Sequence, residues 1–66
     1  MKLKINGKDV LIGSNKTLGE LLLEKGLHPE RIVVEHNLKI VPKEEWNKTM
    51  LSSDDIIEIV SFVGGG

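Results

Sequence analysis

The chain contains no cysteine. That excludes disulfide staples, thiolate catalysis and cysteine-based zinc sites together, and nothing points to an oxidising compartment, so a reduced, cytoplasmic protein is expected. Aromatic residues are nearly as scarce, with one Trp, one Phe and no Tyr, and no lysine follows Lys48. A basic, aromatic-bearing face for RNA is therefore missing, and no nucleic-acid partner is expected. No apolar run reaches the length that spans a bilayer, and Lys2 and Lys4 interrupt the N-terminal apolar stretch that a signal peptide would need. His28 and His36 lack metal-ligand spacing and a companion acid, and both are expected at solvated or turn positions. Glu44 and Glu45 are sequence neighbours whose side chains diverge on a helical turn, so they make a poor acid/base pair. Neither a nucleophile with its base nor a metal site can be assembled, which argues against a free-standing enzyme.

What is present fits one small domain. A chain of 66 residues buries only about 60% of the surface that its unfolded form exposes. A net stability of roughly 3 to 5 kcal/mol is the expectation, with no disulfide to add to it. The formal net charge is −1, too small to specify a partner, but the charges are unevenly placed. Lys2, Lys4, Lys8 and Lys16 stand against Asp9 alone at one end, whereas Asp54, Asp55 and Glu58 stand near the other with no cation after Lys48. The approach to the C-terminus is mildly acidic.

Local signals give the elements in order. Leu3 and Ile5 alternate with Lys2 and Lys4, as in a half-buried strand. Asn6-Gly7 tolerates the positive φ that a two-residue type I′ hairpin demands, so Lys8 to Ile12 returns as a second strand. Thr17 and Glu20 have capping-box spacing, Leu18, Leu21 and Leu22 form an apolar stripe, and Gly26 suits the left-handed residue after a helix. A helix of about nine residues is roughly 13 Å long, too short to stand without a sheet beneath it. Pro29 predicts an extended lead-in to a strand over Ile32 to His36. Asn37 supplies a turn, Lys39 to Val41 a short strand, Lys43 to Trp46 one helical turn, and Trp46 a cover for an open end of the core. Thr49 to Asp55 turns into a last strand through Ile57 and Ile59.

A hairpin, a crossing helix and further strands make an α+β plan, with one main helix on a mixed sheet of four or five strands. Setting the first and last strands side by side and parallel puts Leu3, Ile5, Ile57 and Ile59 under the leucine stripe. That is the β-grasp, or ubiquitin-like, arrangement. Residues 1–63 are read as a single domain and 64–66 as a flexible tail. If Ile57 and Ile59 face inward, alternation turns Glu58, Val60 and Phe62 to the opposite face, where an apolar patch at the root of the tail marks a partner site. Three glycines in extended form reach on the order of 10 Å and fit a narrow channel.

Asn37-Leu38-Lys39-Ile40-Val41-Pro42-Lys43, Trp46, Leu51 to Asp55 and the closing IIEIVSFVGGG together resemble the thiamine-biosynthesis sulfur carrier family, from the first strand to the last residue. Two positions depart from the family's usual pattern: Leu38 and Asp54 stand where it often has glycine, which bears on turn geometry and not on the tail. The resemblance implies that the carboxylate of Gly66 is adenylated with ATP by an E1-like adenylating enzyme and converted to a thiocarboxylate. Sulfur would come from a donor such as a cysteine desulfurase system and pass to thiazole synthase. Gly64 and Gly65 would thread the partner's channel, Glu58, Val60 and Phe62 would dock the partners, and the chain would hold no cofactor, metal or catalytic residue of its own. Alternatives stay open: a molybdopterin synthase small subunit, which shares the tail and its chemistry; a modifier conjugated to lysines; and a ubiquitin-like interaction module that carries nothing.

Overall fold

The hairpin predicted from Asn6-Gly7 opens the structure. A computed structural model describes residues 1–62. Strand β1 (Lys2–Ile5) pairs antiparallel with β2 (Lys8–Leu11), with Ile5 opposite Lys8. Asn6 and Gly7 take φ of 49° and 81°, the two positive values of a type I′ turn. Helix α1 (Leu18–Glu24) begins on the expected capping box: the Thr17 hydroxyl accepts from the Glu20 N–H at 3.1 Å, and the Glu20 carboxylate accepts from the Thr17 N–H at 2.9 Å. These bonds hold the Glu20 carboxyl below its ordinary value, the backbone N–H being the larger influence.

The helix is shorter than the expected nine residues because Lys25 already caps it. Gly26 takes a φ of 70°, its N–H reaches the Leu23 carbonyl, and the Leu27 N–H reaches the Leu22 carbonyl. This is the paired bonding of a Schellman motif, and Leu27 closes it by packing against the core. Pro29 corrects one expectation. His28 before it is extended, as a residue preceding proline should be, but Pro29–Arg31 then forms a single 3-10 turn and not an extended lead-in. The fixed φ of proline suits the first position of such a turn.

Strands β3 (Ile32–His36), β4 (Lys39–Ile40) and β5 (Ile56–Ser61) complete a five-stranded sheet in the order β2-β1-β5-β3-β4. The central pair β1 and β5 is parallel and the others are antiparallel, which is the β-grasp plan. One sheet face carries Leu3, Ile5, Ile32, Val34 and Ile57 beneath Leu18, Leu21 and Leu22 of the helix, all of them buried. Trp46 closes one open end of this core. It sits in a second 3-10 turn (Lys43–Lys48), longer than expected, and its indole N–H donates to the Val41 carbonyl at 2.9 Å.

The β3–β4 hairpin repeats the geometry of the first with a poorer sequence. Asn37 and Leu38 have φ of 52° and 73°, and Asp54 has 71°. Leu38 and Asp54 therefore both take a glycine-like conformation. A left-handed leucine costs on the order of 1–2 kcal/mol, while aspartate tolerates the region better. Leu38 is highly exposed, so it recovers little by packing. Leu38→Gly is expected to stabilise the chain by about 1 kcal/mol, relief of strain exceeding the entropy that glycine adds to the unfolded state. Thermal unfolding should show a rise of roughly 4–8 °C, and Asp54→Gly a smaller one.

Candidate functional site

The last strand determines what the sheet shows to solvent. Pairing sets Ile56 beside Lys4, Val60 beside Val33, and Glu58 beside Glu35, all on the face away from the helix. Exposures there are 42% for Ile56, 60% for Val60, 47% for Phe62, 41% for Val33 and 67% for Ile40. Five large apolar side chains on one sheet face exceed the scattered exposure expected of any surface. Val60 and Phe62 lie at the end of β5 nearest the glycines, and the Phe62 N–H donates to the Arg31 carbonyl at 2.9 Å, which continues the β3–β5 ladder past the strand. Gly64, Gly65 and Gly66, the other residues assigned to the site from sequence, lie outside the described residues, as does the boundary expected after residue 63.

Two carboxylates sit within this apolar face. Glu58 and Glu35 are directly opposite in register, and neither belongs to an ion pair among the described residues. Facing like charges disfavour the sheet by a few tenths of a kcal/mol. A cation brought by a partner would remove that cost.

The root of β5 is held by a polar cluster that the sequence reading missed. Asp55 is buried, and its carboxylate accepts from three donors: His36 Nε2 at 2.7 Å, Asn37 Nδ2 at 3.1 Å and the Ser52 N–H at 2.8 Å. Asn37 in turn accepts from the Ile56 N–H through its side-chain oxygen and donates its own N–H to the Ile56 carbonyl, both at 2.8 Å. Burial pushes the Asp55 carboxyl up, but the bonds from His36, Ser52 and Asn37 outweigh it and hold it below its ordinary value. His36 is thus half-buried and engaged, not solvated as expected. It shares the helix-side face with Ile57, its partner across the strands, and this brings the ring to Asp55. Its role is to fix the strand that ends in the tail.

Among the described residues no group of three His, Asp or Glu side chains is placed to hold a metal ion, and no helix is long and apolar enough to cross a membrane. The sequence model of the ThiS family matches residues 3–66. The chain belongs to the ThiS family. Its relatives include the sulfur carrier protein ThiS of Bacillus subtilis, 42% identical over 97% of this chain and 98% of that one. A thiazole synthase of Paramagnetospirillum magneticum is 41% identical over the whole chain, which spans only 20% of that protein's length; one of Magnetococcus marinus aligns over the same share at 38% identity. The crystal structure of the thiamine biosynthesis protein ThiS from Geobacter metallireducens superposes with a TM-score of 0.86 at 29% identity, covering both chains completely. The ThiS likeness therefore extends to the fold.

Proposed function

We propose that this chain is a sulfur carrier in thiamine biosynthesis, a protein cosubstrate with no catalytic residues of its own, and that Gly66 is the residue that carries the sulfur. A carboxylate is a poor electrophile at neutral pH. An E1-like adenylating enzyme would transfer AMP from ATP to the Gly66 carboxylate and release pyrophosphate. The terminal sulfur of a persulfide formed by a cysteine desulfurase system would then attack the acyl carbon, forming a C–S bond as the C–O bond to AMP breaks, and a thiol would cleave the remaining S–S bond, leaving the thiocarboxylate and a disulfide. The acyl adenylate must be kept from water, so the reaction belongs inside the partner and not on this chain's surface.

The observation that carries this reading is the family match, which runs through Gly66 and is accompanied by near full-length similarity to a protein named sulfur carrier. Thiazole synthase as recipient is supported by the proteins of that name in which one segment aligns with this whole chain. Glu58, Val60 and Phe62 form a docking surface at the root of the tail, and binding energy gained there offsets the roughly 1–2 kcal/mol per residue lost when each glycine is fixed in a channel. Intact-mass analysis of the chain after incubation with adenylating enzyme, ATP and sulfur donor tests the proposal. The expected product has one oxygen replaced by sulfur, located at Gly66 by fragmentation and absent when Gly66 is deleted. An unchanged mass would end the carrier reading.

A further inference from the structure

Strand β5 is supported unequally on its two sides. Against β3 it is paired from Ile57 to Ser61, but against β1 the register covers only Ile56 and Ile57. The hydrogen bonds show which way each residue's backbone points. Phe62 donates to Arg31 and Ile56 accepts from Asn37, so the even-numbered residues bond to β3. The odd-numbered residues turn the other way: Asp55 accepts from Lys4, and Ile57 accepts from Asn6. The Ile59 N–H is met by the side-chain oxygen of Asn6 at 2.7 Å, because the main chain of β1 has already turned away there. Beyond that bond the Ile59 carbonyl and both backbone groups of Ser61 face a side on which no described residue pairs with them.

We infer that this notch is a strand-addition site, filled by an extended segment of the protein that loads the tail. The inference rests on the carrier reading. Three backbone groups at strand spacing with no partner among the described residues match an added strand, which is the usual way an exposed sheet edge binds a peptide. In the sequence this edge precedes Val63 and the glycines by only one residue, Phe62, so a strand seated there would align the chain just before it enters the partner's channel. Exposed Val60 and Phe62 flank the same backbone, which makes the edge continuous with the proposed docking face. A second copy of this chain is the poorer occupant. An edge of three residues per copy falls far short of the roughly 800 Å² per partner that stable association requires.

Ser61→Pro tests the inference, since it removes only an N–H that the β3–β5 ladder does not use, and proline is tolerated at such edge positions. Its melting temperature should stay close to that of the unmodified chain. Its affinity for the adenylating enzyme should fall about tenfold, with Ser61→Ala, which keeps the N–H, unchanged. Amide hydrogen exchange of the unmodified chain supplies a measurement that needs no variant: Ser61 should exchange freely alone and gain at least about tenfold protection in the complex. Normal affinity of a folded Ser61→Pro chain, or an unprotected Ser61 amide in the complex, overturns the inference while leaving the carrier reading intact. Dimers of this chain that Ser61→Pro dissociates would overturn it too, by assigning the edge to a second copy. If the unmodified chain takes up no sulfur from enzyme, ATP and donor, the carrier reading falls and the inference with it.

Discussion

Replacing Asp55 with alanine is expected to cost about 3 kcal/mol at neutral pH, most of the stability a chain of this size possesses. The carboxylate is buried and accepts from His36, Asn37 and Ser52. Its loss leaves three donors without an acceptor, and Asn37, which also bonds both backbone groups of Ile56, loses the anchor for its side chain. Urea titration should show a sharply lowered midpoint, with a large unfolded fraction at 37 °C. Asp55→Asn should lie between the two, since an amide keeps one acceptor but sets a donor against donors. Acid gives a second readout. The folded carboxyl lies below its ordinary value near 3.8, so its stabilisation is fully present above that pH and is lost as pH falls through the lower, folded value. The unmodified chain should therefore lose stability below about pH 4 more steeply than Asp55→Ala, which has already lost this contribution.

That cluster also shows where sequence reasoning stops. The Asn6-Gly7 hairpin, the Thr17 capping box, the leucine stripe and the Gly26 cap are each encoded within a few neighbouring residues, and local rules found them. His36 and Asp55 are 19 residues apart, and their meeting depends on the register between β3 and β5. Nothing local to His36 fixes that register. Given the register, the shared face of His36 and Ile57 was the available signal. Leu38 and Asp54 illustrate a different gap. Leucine has a poor propensity for positive φ, yet the pairing of His36 with Lys39 across the turn imposes it on Leu38, and at Asp54 the bond from its N–H to the Lys2 carbonyl at 2.7 Å helps to do the same. The outward direction of Glu58, Val60 and Phe62, by contrast, followed from alternation alone once Ile57 was placed inward.

The paired substitution Val60→Ala and Phe62→Ala is expected to weaken binding to the two proposed partners, an adenylating enzyme and thiazole synthase, by about a hundredfold, with little effect on the fold. Burying a phenylalanine and a valine side chain at an interface contributes roughly 3 kcal/mol in total, and 1.4 kcal/mol corresponds to a factor of ten. Both residues are largely exposed in the free chain, so truncation removes little that the fold uses, and the unfolding midpoint should move by less than about 0.5 kcal/mol. This separation of binding from stability distinguishes a docking role from a packing role. Glu58→Gln should act differently, lowering the association rate and flattening its salt dependence, because a charge among apolar contacts steers the encounter more than it holds the complex. Calorimetric titration of the folded double variant decides the matter: unchanged affinity for both enzymes would show that the exposed face of β5 is not where they dock. If only one affinity falls, the two partners read different parts of the chain.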